Sequence, residues 1–178
     1  MFYSGQNNLI TDVDNILVGN AEDKDIGTGT TILIPPIGST AAADVRGGAP
    51  GTREVGALNP YNLVDTIDAI VLSGGSAWGL EAASSAANFI GKSGRGFKTS
   101  ENIKNVPMVP AAILFDLSNG GNKDWGDTPP YNKLGIEAAS KASIKFKLGN
   151  TGAGYGAKAG SLKGCLLYTS PSPRDLLG

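Results

Sequence analysis

The chain has 178 residues, 40% of them hydrophobic and 17% charged, a length and composition that suit one globular domain and exclude a disordered or membrane-dominated chain. Its 15 Lys and Arg against 16 Asp and Glu leave a net charge of −1, which argues against a nucleic-acid binder. With no histidine and one cysteine, Cys165, it cannot form within itself a Ser-His-Asp or Cys-His catalytic set, an HExxH or Cys2His2 metal site, or a disulfide.

The first elements are short. Residues 9–18 read as strand, turn, strand, with Asp12, Asp14 and Asn15 in the turn. The β-branched run 30–34 reads as a strand that stops at Pro35-Pro36. The apolar run 67–73 reads as a buried strand that ends at Gly74-Gly75. Residues 77–90 then take helical spacing with two apolar stripes. Leu80, Ala83, Ala87 and Ile90 form one; Trp78, Ala82, Ala86 and Phe89 form the other. Apolar residues on both sides place this helix between layers, and Ser76 is its expected N-cap.

Residues 106–117 contain Pro107 and Pro110 and then an apolar core strand; 120–124 are a loop. Thr128-Pro129-Pro130 reads as the entry to a second helix over 134–147, with Leu134, Ala138, Ala142 and Phe146 near one face. Gly135 weakens that helix by about 1 kcal/mol relative to alanine. A glycine-rich loop follows over 149–156. Glycine is abundant throughout: 26 of 178 residues, about twice the usual share, clustered in loops. No apolar run reaches the ~20 residues that span a bilayer, and the N-terminus lacks the basic start and apolar middle of a signal peptide. A cytoplasmic protein with no membrane partner is the expectation.

Two segments carry most of the local information. Asp44-Val45-Arg46-Gly47-Gly48-Ala49-Pro50-Gly51-Thr52-Arg53-Glu54 combines an irregular backbone with two cations and two acids. Either it holds charge at a cleft, or Arg46 and Arg53 pair with Asp44 and Glu54 to fix the loop. Leu72-Ser73-Gly74-Gly75-Ser76-Ala77-Trp78-Gly79-Leu80 runs from strand to helix. It misses the G-x-S-x-G elbow, because the glycine after Ser76 comes one residue late. Its expected role is a tight turn whose amides hold an anion or a substrate carbonyl at a helix N-terminus. Gly152-Ala153-Gly154-Tyr155-Gly156-Ala157 fails the dinucleotide spacing, and Gly91-Lys92-Ser93 lacks the first glycine of a phosphate loop. Tyr131 and Lys163 taken singly read as packing or surface residues.

Taken together, these segments resemble the DmpA-type aminopeptidases: L-aminopeptidase/D-esterases, β-peptidyl aminopeptidases and nylon-oligomer hydrolases. The resemblance is collinear over about residues 8–164. It rests on Asn8-Leu9-Ile10-Thr11-Asp12-Val13, Leu17-Val18-Gly19, Thr28-Gly29-Thr30-Thr31, the two segments above, the stretch 106–117, and the stretch 152–163. It implies an α+β fold, an αββα sandwich like that of N-terminal-nucleophile hydrolases but with different connectivity, incomplete here at the C-terminus. It also implies a precursor that cuts itself before a Ser or Thr, whose freed hydroxyl attacks an amide while its own α-amine serves as base. Such chemistry needs no histidine, no metal and no cofactor.

Carried over residue by residue, the resemblance gives two catalytic positions. Tyr131 would hydrogen-bond the nucleophile or the leaving amine. Lys163 would lower the pKa of the nucleophile through its charge. Gly74, Gly75, Ser76 and Arg46 would shape the substrate site. The implied substrate is a short peptide, amide or ester, and self-association is implied for the full-length parent. Residues 1–164 are expected to be the α-chain-like part and 165–178 a non-native tail. Thr169 and Ser170 lie outside the family's cleavage context, so the fragment is expected to be inactive. The competing expectation is a non-catalytic glycine-rich α/β domain that binds an anion or nucleotide through the Gly74-Gly75-Ser76 amides.

Overall fold

The structure is a computed structural model and describes residues 5–166. In chain order the described elements are β1 (Leu17–Asp23), β2 (Thr28–Ile34), β3 (Thr52–Arg53), β4 (Ile70–Ser73), α1 (Glu81–Gly91), β5 (Ala111–Ile113), α2 (Tyr131–Ser140), β6 (Lys158–Ala159) and β7 (Leu162–Lys163). Five strands form one sheet in the order β1-β2-β4-β5-β3, and β6-β7 form a separate hairpin. β1 runs antiparallel to β2, and β2 to β4; β4 and β5 are parallel, and β3 closes the far edge antiparallel to β5.

Register decides which side chains enter the core. Gly19 pairs with Ile32, Ile32 with Val71, and Val71 with Ala111, so these residues share one face of the sheet. That face packs on the two helices: Ala21, Ile32, Val71 and Ala111 join Ala82, Ala86, Tyr131, Leu134 and Ala138 in one buried cluster. The helices approach closely because small residues sit where they meet. A Cβ at Gly135 of α2 would collide with Ser85 Oγ and the Ala82 carbonyl of α1. The glycine that weakens α2 as an isolated helix is thus what lets the helix pair close.

The opposite face of the sheet is partly covered by the glycine loop 149–156. Glu22 Oε2 accepts from Thr151 Oγ1 (3.1 Å) and from the Gly152 amide (3.2 Å). Thr31 Oγ1 donates to Asn20 Oδ1 (2.7 Å) and accepts from the Ala153 amide (3.0 Å). Leu72, on the same face, stays exposed. Of the four layers expected for an αββα sandwich, the described residues supply one five-stranded sheet and one helical layer, with the β6–β7 hairpin beside them. Residues 167–178 of the expected tail lie outside the described residues.

Three local expectations differ from the structure. Residues 10–12 form a 3-10 turn, not a strand, because Asp12 Oδ2 accepts from the amides of Asn7 (2.9 Å) and Leu9 (3.1 Å) and folds the chain on itself. Ser76 does not cap α1: it opens a 3-10 turn (Ser76–Leu80) at φ +52°, and Leu80 occupies the N-cap of the helix. α2 starts at Tyr131, three residues earlier than expected, and stops at Ser140. Beyond it the alternating pattern Ser143-Ile144-Lys145-Phe146 favours extended backbone, and Ser143 exchanges both backbone hydrogen bonds with Val18 of β1 (3.0 Å each).

Candidate functional site

The start of β2, the ends of β4 and β5 and the first residue of α2 meet at one end of the sheet. Thr28 begins β2, Gly74 and Gly75 follow β4, Asp116 follows β5, and Tyr131 opens α2. Each of these positions is buried. Burial of so many polar groups requires that they satisfy one another. Asp116 Oδ2 accepts from Thr28 Oγ1 at 2.6 Å, and Asp116 Oδ1 accepts from the Gly75 amide at 2.7 Å. Tyr131 donates from its hydroxyl to Thr28 Oγ1 at 3.4 Å. Beside them, Thr30 and Ser73 share a hydroxyl hydrogen bond of 2.8 Å.

Glycine is required where the backbone passes closest to these groups. A Cβ at Gly75 would overlap the Tyr131 ring and hydroxyl, and one at Gly74 or Gly156 would overlap the Asp116 carboxylate. Gly75 also has φ +87°, a conformation that costs an L side chain about 1–2 kcal/mol. Asn119 binds the cluster to its surroundings: its Nδ2 donates to the carbonyls of Gly27 and Gly156, both at 2.8 Å.

Burial pushes the Tyr131 phenol up to about 12, and the charges of Asp116 and Asp23 add to the rise. The phenol therefore keeps its proton near neutral pH and cannot act as a base there. Lys123 donates to the Ile26 carbonyl next to this cluster. Its pKa is lowered, chiefly by partial burial, against the pull of Asp116 and Asp23. Trp125 stands edge-on to Tyr131 with ring centroids 6.1 Å apart, and Trp78 edge-on to Trp125 at 6.4 Å. Trp78 is 55% exposed, so an aromatic row leads from the surface to the phenol.

The six positions singled out from the sequence fall into three places. Tyr131, Gly74 and Gly75 belong to the buried cluster, and Ser76 lies at its margin. Lys163 is on the exposed β6–β7 hairpin, where its amine donates to the carbonyls of Gly154 (2.7 Å) and Gly164 (2.8 Å). No hydrogen bond joins Lys163 to Tyr131 among the described residues. Arg46 is on the exposed loop, paired with Asp44 at 2.6 Å. Together with 41–45 and 49–52 it lines an apolar cavity of about 380 Å3 against Ile70 and Ala112 of the sheet and Pro110, which precedes β5.

Two of the sequence expectations need correction. The amides of the Gly74-Gly75-Ser76 turn are not available to hold an anion. They donate to the Gly29 carbonyl (2.9 Å), Asp116 Oδ1 (2.7 Å) and the Leu114 carbonyl (3.0 Å) respectively. Arg53 does not pair with Glu54; it reaches under α1 to the Ser84 hydroxyl, because Arg53 shares the face of Ala111 that points at the helices. Sequence reasoning also missed Thr28 and Asp116 as site residues. The available signal was an acid placed directly after an apolar core strand, which must find buried donors.

Among the described residues, no group of three or more Cys, Asp or Glu side chains is placed to hold a metal ion, and no helix is long and apolar enough to cross a membrane.

Comparison with known proteins brings the fold and the sequence together. The model of peptidase family S58 matches residues 8–170, six residues beyond the expected end of the resemblance. An aminopeptidase of Mycobacterium tuberculosis, named as uncharacterized, is 41% identical over 165 residues, covering 88% of this chain and 46% of the relative. A 6-aminohexanoate-oligomer endohydrolase of Kocuria sp. is 30% identical over 162 residues, covering 89% and 41%. Among solved structures, the L-aminopeptidase D-Ala-esterase/amidase of Ochrobactrum anthropi, described as a variant of the Ntn hydrolase fold, superposes with a TM-score of 0.69 at 17% identity, over 92% of this chain and 48% of that one. The PH0078 protein of Pyrococcus horikoshii superposes with a TM-score of 0.66 at 20% identity. The chain spans about half the length of the relatives it matches.

Proposed function

Because the chain belongs to peptidase family S58, we infer that it is the α-chain-like part of a self-processing amide hydrolase. The whole enzyme removes an N-terminal residue from a short peptide, or cleaves a related amide or ester. Its nucleophile is a Ser or Thr freed by self-cleavage in sequence that follows the part described here. The observation that carries this reading is the match over residues 8–170, with 41% identity to an aminopeptidase of which this chain covers less than half.

The residues present have work in such a reaction. A freed α-amine has an ordinary pKa of about 7.7–8.0, suited to serve as a base near neutral pH without histidine. The Tyr131 phenol stays protonated and gives the attacking or leaving group a fixed hydrogen-bond partner. Lys163 places a cation on the glycine loop through its bond to the Gly154 carbonyl. Gly74, Gly75 and Ser76 act by shape: they let the chain pass against Tyr131 and Asp116. Arg46 and its cavity lie where the loop 41–52 meets the sheet and offer a place for the remainder of a substrate. The enzyme works in the cytoplasm and self-associates in its full-length form.

The test is an amidase assay with amino-acid p-nitroanilides on two proteins: the 178-residue chain, and the same chain continued across the length of its relatives. The expected result is no turnover by the short chain, with self-cleavage and turnover by the long one. Hydrolysis by the short chain that is lost in Y131F or K163A would place the nucleophile within these residues and overturn the two-part reading. A long chain that neither cuts itself nor hydrolyses any amide overturns the hydrolase reading altogether.

A further inference from the structure

The buried hydroxyl chain from Tyr131 through Thr28 to Asp116 has a direction, and that direction decides what Tyr131 can offer a reacting group. An ionised carboxylate only accepts hydrogen bonds. Both oxygens of Asp116 are committed, one to the Gly75 amide at 2.7 Å and the other to Thr28 at 2.6 Å. Thr28 has a single hydroxyl proton. Of its two partners, Asp116 is the closer by 0.8 Å and the charged one, and charge-assisted hydrogen bonds are roughly twice as strong as neutral ones. The Thr28 proton therefore points at Asp116, and only a lone pair remains for Tyr131. The one proton of the phenol goes to that lone pair. Every other group that meets the phenol oxygen meets a lone pair in turn.

We propose that Asp116 is a positioning residue that sets this direction, so that Tyr131 presents an acceptor, and not its proton, to an amine or hydroxyl of the reaction. Resting on the amide-hydrolase reading, this narrows the partner of Tyr131 to a group that donates: the hydroxyl or α-amine of the nucleophile, or the nitrogen of the departing amine. A developing oxyanion is the wrong partner, because stabilising it would require the phenol to let go of Thr28. Gly75 belongs to the same device. Its amide fixes one carboxylate oxygen, and its lack of a side chain leaves room for the phenol.

The experiment follows the Cζ resonance of ring-labelled Tyr131 against pH in the 178-residue chain, assigned with Y131F. Lys123 and Asp23, the other charged groups that act on this neighbourhood, are unchanged in all variants. In the wild type the resonance stays flat through about pH 10, the ordinary tyrosine midpoint. In D116N the new amide donates, the Thr28 hydroxyl turns to donate to Tyr131, and the phenol titrates earlier by about one pH unit or more. In a T28V background the same D116N change moves it far less, because the link is gone. T28S keeps the link and restores the full shift. An equal shift with and without the Thr28 hydroxyl would mean that Asp116 acts by charge alone, and the proposal fails. No shift in folded D116N also overturns it.

Should D116N not fold, T28V reads the same link by itself. Loss of the acceptor speeds exchange of the Tyr131 hydroxyl proton and T28S slows it again, whereas unchanged exchange in T28V overturns the proposal. None of these readouts involves turnover. Failure here leaves the hydrolase reading standing, and failure of the hydrolase assays leaves the titration result intact.

Discussion

Two glycine-rich segments of this protein look alike in sequence and behave differently in space. In the turn 74–76 every amide is engaged, and Cβ atoms at Gly74 and Gly75 would strike Asp116, Thr28 and Tyr131. In the loop 46–48, Cβ atoms at Gly47 and Gly48 would meet nothing within 4 Å, and Arg46 and Asp44 stand in solvent. The first pair of glycines permits close approach and the second permits an unpacked path along the rim of a cavity. The lesson concerns what a glycine motif encodes: its density marks a special backbone, while its surroundings decide whether that backbone is clamped or open.

The largest expected effect breaks the clamped segment. Gly75→Ala combines a left-handed φ, worth about 1–2 kcal/mol, with overpacking against the Tyr131 ring, worth about 1–3 kcal/mol. A loss of about 3 kcal/mol in denaturant unfolding is expected. Gly48→Ala, the matched change in the open loop, is expected to stay within about 0.5 kcal/mol. Equal costs at the two positions would erase the distinction between them.

The same contrast governs what could be read from the sequence. β2, β4 and α1 announce themselves through β-branched or apolar runs and small-residue stripes, because their burial is local in pattern. The site is half legible. Tyr131 and the Gly74-Gly75 turn stand out by resemblance, but Thr28 is a threonine in a strand, and Asp116 reads as an ordinary polar strand end. Their bond spans 88 residues of sequence, and no spacing rule encodes such a contact. The end of α2 is hidden for another reason. Helical spacing continues through Ala142 and Phe146 and competes with the alternation over 143–146, and the tertiary pairing of Ser143 with Val18 decides for the extended path. The fate of the turn amides is hidden too, since their acceptors, the carbonyls of Gly29 and Leu114 and the Asp116 carboxylate, come from three separate segments.

A middle-sized effect sharpens the picture of the clamped segment through pH. The Tyr131 phenol titrates at about 12 in the folded protein, against about 10 for an unperturbed tyrosine. Below pH 10 the group binds its proton in both states and adds no slope. Between 10 and 12 the unfolded chain has released the proton and the folded chain has not, so folding stability falls as pH rises. The unscreened shift would amount to nearly 3 kcal/mol, and solvent screening reduces the expected loss to roughly 1–2 kcal/mol. Denaturant melts of wild type and Y131F on either side of about pH 10 isolate it: the Tyr131-dependent loss is present in the first protein and gone in the second. Lys123 acts with the opposite sign and below its ordinary midpoint, since its folded pKa is lowered, and it cancels in the difference between the two proteins.

The smallest effect belongs to the open loop and is informative because it is small. Arg46 and Asp44 approach to 2.6 Å, but their side chains are 86% and 68% exposed. An ion pair in that setting contributes about 0–1 kcal/mol, weakened further by salt. Arg46→Ala is therefore expected to change the unfolding free energy by no more than about 0.5 kcal/mol. A cation held in place for stability would be paired under cover, as Arg95 is: it donates to the Pro35 carbonyl at 2.9 Å and lies 3.5 Å from Asp68, with both side chains largely buried. Arg46 has no such cover and lies instead on the rim of the 380 Å3 cavity. If the loop serves substrate, R46A in the full-length enzyme raises KM while the melting temperature and kcat hold. A drop in melting temperature with KM unchanged would make the loop a structural clamp like the turn 74–76, and the division between the two glycine segments would be lost.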